Sequence, residues 1–167
     1  MRKGRLVRRV RPASIIDYGC GRSDLAAHFW LDGGRRIARY DPAIPRFKDM
    51  PEGEFDLAFC CDVLEHIPMA GVDRVLAEVR SKSAKVVFTI STKLARAKLP
   101  DGRNAHVTLL TPSEWCRWIA EVFGDKPGIG VCPLHPEPER LERAPQHPTG
   151  MRIELRVGVL VMAAVLG

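Results

Sequence analysis

The chain has 167 residues, of which 46% are hydrophobic and 28% charged, with a formal net charge of +6 and five cysteines. That length and balance suit one ordinary soluble globular domain with a single substantial core. The charge excess sits at one end: residues 1–12 carry Arg2, Lys3, Arg5, Arg8, Arg9 and Arg11 and no acid, which leaves 20 basic and 20 acidic residues in the remainder.

Residues 1–12 are therefore read as a basic N-terminal arm and 13–167 as one domain. The arm is either a contact for nucleic acid or another polyanion, or a solvated leader. Cys20, Cys60, Cys61, Cys116 and Cys132 lack metal-type spacing. Their odd number and the adjacent pair predict free thiols in a reducing compartment, hence a cytoplasmic protein. The basic start is not followed by an apolar stretch of the kind a signal peptide needs. Val157–Leu166 is too short to span a bilayer, so no membrane association is expected.

A short apolar strand is predicted over Ala13–Tyr18, followed by Gly19-Cys20-Gly21 and a helix over Ser23–Leu31 that Asp32-Gly33-Gly34 closes. Strand, glycine turn and helix start together aim backbone N–H groups at a ligand, and glycine permits its close approach. The third glycine of a dinucleotide fingerprint is missing, because Asp24 follows Ser23. Asp17, two positions before the first glycine, repels a pyrophosphate and attracts an ammonium group.

Arg35–Tyr40 is the second strand and ends at Asp41-Pro42. Asp41 lies 20 residues beyond Gly21, where nucleotide-binding α/β folds place an acid whose two oxygens accept from a ribose diol. Between Pro42 and Glu54 the chain is rich in proline, glycine and charge, leaving room only for a short strand near Arg46–Lys48. Phe55–Cys61 is near-continuously apolar, as a central parallel strand is. A helix over Ala70–Arg80 gathers Val72, Val75, Leu76 and Val79 on one face, and Lys85–Ser91 is the next strand. A basic loop, Thr92–Val107, leads to a helix opened by Thr111-Pro112-Ser113-Glu114 and lined by Trp115, Trp118, Ile119, Val122 and Phe123. After a proline-rich stretch with a strand at about 128–132, Val157–Leu166 forms the last strand. The alternation predicts an α/β, doubly wound, mainly parallel sheet with an antiparallel last strand.

Three motifs now stand in order over about residues 14–124: Asp17-x-Gly19-x-Gly21, Asp41, and Phe55-Asp56 leading to Leu64-Glu65-His66-Ile67. Together they resemble class I S-adenosylmethionine-dependent methyltransferases. The resemblance implies a Rossmann-like methyltransferase fold and transfer of a methyl group to an O or N acceptor by in-line displacement. It implies that Asp17, Gly19, Cys20 and Gly21 face the methionine end of the cofactor, that Asp41 holds the ribose and that Asp49 reaches the adenine. Cys61 and Asp62 would lie near the sulfonium. No Asn/Asp-Pro-Pro-Tyr/Phe and no Pro-Cys follows the central strand, which disfavours amino-methylating DNA enzymes and cytosine C5 methylation. Little chain precedes Ala13 to cover the acceptor, so an open site is expected.

His66 and His106, with Glu65 beside them, are the catalytic candidates; His28, His135 and His147 fall outside the motifs. Asp62-x-x-Glu65-His66 with His106 resembles the Glu-x-x-Glu-His…His metal site of small-RNA 3′-terminal 2′-O-methyltransferases, and a similar set occurs in ubiquinone-pathway O-methyltransferases. Downstream, Arg103-Asn104-Ala105-His106 followed by Thr111, Glu114, Trp115 and Trp118 continues the likeness to the RNA enzymes. It implies a divalent ion on Asp62, Glu65, His66 and His106 that lowers an acceptor hydroxyl's pKa. Leu-Glu-His-Ile also occurs in members without metal, where Glu65 and His66 cap or line the cleft. Lys93, Arg96, Lys98 and Arg103 in the basic loop point to an anionic acceptor, either nucleic acid or a small metabolite. Two other readings compete: a non-catalytic S-adenosylmethionine-binding partner, against which the intact glycine turn and Asp41 speak, and a NAD-dependent oxidoreductase, disfavoured by Asp17 and the missing glycine.

Overall fold

A computed structural model describes residues 11–23, 36–123, 129–131, 155–156 and 159–164. The helix expected over Ser23–Leu31 lies almost wholly outside the described residues, as do most of the basic arm and of the proline-rich stretch.

Four parallel strands form the frame: β1 (Ser14–Tyr18), β2 (Arg36–Tyr40), β3 (Leu57–Cys61) and β4 (Val86–Ser91), in the order β2-β1-β3-β4. The registers bring Tyr18, Tyr40 and Cys60 level, so the carboxyl ends of β1, β2 and β3 open on one edge. Beyond β4 the backbone pairs antiparallel with Val159–Ala164, which in turn pairs with Ile129–Val131 and Leu155–Arg156.

Alternation along the strands builds the core. Ile16, Tyr18, Ala58, Cys60, Phe88 and Ile90 share a buried cluster with Val72, Val75, Leu76 and Val79 of helix α1 (Met69–Lys82). Trp115, Ile119 and Phe123 of helix α2 (Pro112–Phe123) complete it. Ile15, Leu57, Phe59 and Val87 are at most 1% exposed, as strands covered on both faces require. Burying such a side chain contributes about 1.5–3 kcal/mol. Helix α2 starts where the sequence predicts, because Thr111 and Glu114 form a reciprocal cap: Thr111 N–H donates to Glu114 Oε2 (2.7 Å) and Glu114 N–H to Thr111 Oγ1 (3.3 Å).

Asp56 acts as a fastener. Its Oδ2 accepts from the backbone N–H of Ala13 (2.8 Å) and Ser14 (2.9 Å), joining the starts of β1 and β3. Tyr18 donates to Glu78 Oε2 (2.5 Å) and packs against the Tyr40 ring at 5.1 Å, tying β1 and β2 to α1. The short strand expected near Arg46–Lys48 is instead a 3-10 turn, Pro45–Phe47. Pro45 has no N–H to give a strand neighbour, and its fixed φ suits the first position of such a turn. Phe47 then returns its carbonyl to Asp41 N–H (2.9 Å) and carries the guanidinium groups of Arg39 and Arg46 on its ring, at 4.1 and 4.6 Å. No helix among the described residues is long and apolar enough to cross a membrane.

Candidate functional site

The glycine turn closes over the carboxyl ends of β1 and β2. Gly19 and Gly21 have φ of +70° and +53°, and the N–H groups of Gly19 and Cys20 both donate to Tyr40 O (2.8 and 3.1 Å). Asp41 latches this turn. Its Oδ2 accepts from Gly21 N–H (2.8 Å) and its Oδ1 from Ala43 N–H (2.9 Å). Each carboxylate oxygen keeps a second lone pair, so the latch and a diol can be served together.

Asp17 is 2% exposed on β1, level with Arg39 of β2. Cys20 is buried, which pushes its thiol pKa up against the opposing pull of Arg39. Asp49 is exposed two residues beyond the Pro45–Phe47 turn, and Cys61 is half-buried at the end of β3. Cys61 therefore closes the central strand beside the glycine turn.

Asp62 follows with φ +57°, an uncommon conformation for a residue with a Cβ. It is held there because its N–H donates to Thr89 O (2.7 Å) and its Oδ1 accepts from Thr89 Oγ1 (3.0 Å).

One turn later the chain gathers a second group. Glu65 and His66 belong to the 3-10 turn Leu64–His66, and His106 arrives from the loop after β4. One carboxylate oxygen of Glu65 and one ring nitrogen of each histidine lie within 4.8 Å of one another. The imidazoles meet edge to face at 4.8 Å and 76°. His66 Nδ1 lies 2.9 Å from Ala105 O, and His106 Nδ1 lies 2.5 Å from Lys93 O. A carbonyl oxygen only accepts, so each Nδ1 carries the proton, and Nε2 is the nitrogen left basic.

Glu65 is 0% exposed. Its Oε1 accepts from Ser91 N–H (2.7 Å), while Oε2 is buried with no hydrogen-bond partner among the described residues. Burial is the main reason its carboxyl pKa rises, opposed by the Ser91 N–H. A buried carboxylate with an oxygen within 4.8 Å of a ring nitrogen of each imidazole suits a divalent cation or a proton.

The four-residue metal set expected from sequence is gathered only in part. Glu65, His66 and His106 come together, and Asp62 is not in that group, its carboxylate being turned to Thr89. Asn104, which lies in the Arg103–His106 segment of the downstream likeness, has no role assigned by it, and two further holding residues escape any motif: Ser91, and Thr108, which donates through Oγ1 to Ile67 O (2.7 Å) and through N–H to Glu65 O (3.1 Å). Their signal is a hydrogen bond to backbone, which no spacing announces.

A family model described as a methyltransferase domain matches residues 3–124 of this chain. No curated protein matches it. Among solved structures, the DhpI complex with S-adenosylhomocysteine is similar at 17% identity and a TM-score of 0.61, covering 99% of this chain and 84% of that one. The methyltransferase domain of bacterial CtHen1 gives 15% and 0.57, covering 99% and 95%. Magnesium protoporphyrin IX methyltransferase from Synechocystis PCC 6803 gives 11% and 0.60, covering 99% and 77%. At such identities these likenesses establish the fold, while the family match covers most of the sequence. With its parallel β2-β1-β3-β4 frame and the glycine turn at the frame's open edge, the chain belongs to the methyltransferase domain family and has the Rossmann-like fold of the S-adenosylmethionine-dependent enzymes.

Proposed function

We propose that this domain methylates a hydroxyl of an anionic acceptor, with the glycine turn and Asp41 holding S-adenosylmethionine and the Glu65/His66/His106 group handling the acceptor's proton. The observation that carries this reading is the buried Glu65 carboxylate, within 4.8 Å of two histidines whose Nδ1 protons are committed to carbonyls. S-adenosylmethionine, when bound, would supply an activated methyl, its S–CH₃ bond breaking as the acceptor O–CH₃ bond forms. The acceptor's proton passes to Nε2 of a histidine, and Glu65 stabilises the imidazolium so formed. Holding acceptor and methyl in line is the larger contribution, worth about 7–11 kcal/mol of barrier in favourable cases.

Glu65, His66 and His106 also fit a divalent ion, which when bound lowers the pKa of a coordinated hydroxyl. Treating the enzyme with chelator and assaying labelled methyl transfer with and without Mg²⁺, Mn²⁺ or Co²⁺ separates the two modes. Full turnover in stripped enzyme assigns the proton to the histidines alone.

Asp41→Ala is expected to weaken S-adenosylhomocysteine binding by about 1–3 kcal/mol, the size of a lost charge-assisted hydrogen bond. Calorimetry on the folded variant checks this, with NAD as the comparison ligand. Unchanged affinity removes Asp41 from the site, and tighter binding of NAD overturns the cofactor assignment.

The anionic acceptor rests on the exposed Lys93, Arg96 and Lys98 near His106. Arg103 contributes less, because Asp101 holds its guanidinium at 2.6 Å. Acceptor KM is expected to rise with salt while kcat stays level. A logarithmic slope of several units identifies a nucleic acid and a slope near one a small anion. A salt-independent KM overturns the anionic reading.

A further inference from the structure

The chain between β4 and α2 folds back on itself as a small hairpin. Leu99 N–H donates to Arg103 O (2.8 Å), Gly102 N–H to Leu99 O (2.9 Å) and Ala105 N–H to Ala97 O (3.1 Å), with Lys98 and Asn104 bridged antiparallel. At its open end a side chain replaces the ladder. Asn104 Oδ1 accepts from Ala95 N–H (2.9 Å) and from His106 N–H (2.9 Å), while Asn104 Nδ2 donates to Ala95 O (2.9 Å). Both lone pairs of the amide oxygen are used, and toward Ala95 the amide acts as an additional peptide unit.

The carbonyls that hold the two histidines belong to the arms joined by this clip. Lys93 O, two residues before Ala95, receives His106 Nδ1, and Ala105 O, next to Asn104, receives His66 Nδ1. Asn104 also anchors the main chain of His106 directly. No other side chain has this geometry: alanine loses all three bonds, aspartate keeps the acceptors but cannot donate to Ala95 O, and glutamine is longer by one methylene.

We propose that Asn104 is a positioning residue that fixes the Nδ1–H tautomer of His106 and, through Ala105, of His66, so that Nε2 of each ring keeps the free lone pair. The importance of those lone pairs rests on the function proposed above, but the tautomers are read without any turnover. Long-range ¹H–¹⁵N correlation spectra of the full chain, labelled at histidine and recorded with the rings neutral, distinguish the two tautomers. His66→Gln and His106→Gln assign the two rings.

The wild type is expected to show Nδ1–H at both. Asn104→Ala is expected to turn His106 into a mixture of tautomers, with a smaller change at His66, and to lower turnover about 10–100-fold at unchanged S-adenosylhomocysteine affinity, as lost outer partners of working histidines do. Both rings remaining Nδ1–H in folded Asn104→Ala overturns the proposal. Should that variant not fold, Asn104→Asp carries the test, since it lacks one bond and sets a carboxylate against Ala95 O: a partial shift at His106 supports the proposal and an unchanged spectrum overturns it. Normal turnover when His66→Gln and His106→Gln are combined would defeat the proposed proton transfer and leave the tautomer result standing.

Discussion

Gly19→Ala is expected to cost about 2–5 kcal/mol of stability, a large share of the roughly 5–15 kcal/mol that holds a typical domain together. Two effects add. At φ +70° a side chain costs about 1–2 kcal/mol. A Cβ there also overlaps Val63 Cγ2 and lies 3.2 Å from Cγ1, and overpacking of this kind costs about 1–3 kcal/mol. Val63 has little freedom to retreat, because Leu64 and Glu65 follow it and both are 0% exposed. Relief by movement would therefore displace the turn that carries Glu65 and His66. Gly21 is the control: its φ is +53° but nothing lies within 4 Å of its Cβ position, so Gly21→Ala costs only the conformational part. Denaturant midpoints of both variants, and of Gly19→Ala combined with Val63→Ala, check the division. Equal losses at Gly19 and Gly21 would refute the packing contribution.

The second large effect runs in opposite directions for activity and stability. Glu65→Gln is expected to lower turnover by roughly 10²–10⁴-fold, the range of general acid–base catalysis, because the imidazolium formed on the histidine loses the carboxylate that stabilises it. In chelator-treated protein the same variant is expected to be more stable than wild type near neutral pH. Glutamine still accepts the Ser91 N–H and removes the cost of a buried charge, and its amide can donate to a basic histidine nitrogen. The sign follows from the raised carboxyl pKa of Glu65. A raised native pKa means the folded state binds the proton more tightly, so this stability is fully present below the unfolded carboxyl pKa and is lost as pH rises through the native one. The advantage of glutamine should thus be greatest at neutral pH and vanish in acid. Melting temperatures of both proteins across that range test it, and a wild type more stable than Glu65→Gln at pH 7 without metal contradicts it.

Much of the frame was legible because it rests on local patterns. The apolar runs at Ile15–Tyr18, Leu57–Cys60 and Val86–Ile90 have the continuous burial of parallel strands, and the apolar stripe of Val72, Val75, Leu76 and Val79 has helical spacing. Thr111 and Glu114 announce a helix start by chemistry alone. The segment after Asp41 leaves room in the sequence for a short strand and forms a turn instead, because Pro45 and the return of Phe47 to Asp41 set it and carry no periodic signal.

The site divides along the same line. Residue types and their order determined the glycine turn, Asp41 at the end of β2, and the Leu64–Ile67 segment after β3, because each depends on its position relative to a strand end. Tertiary structure decided what those groups do to each other. It joined Asp41 to Gly21, set Val63 against Gly19, and turned Asp62 to Thr89 and away from Glu65. It also folded a loop without periodicity so that Lys93 O and Ala105 O fix the protons of two histidines 40 residues apart. Hydrogen bonds to backbone carbonyls and amides accept many side chains at many separations, so no sequence pattern specifies them; only the packed chain selects which partners come within reach.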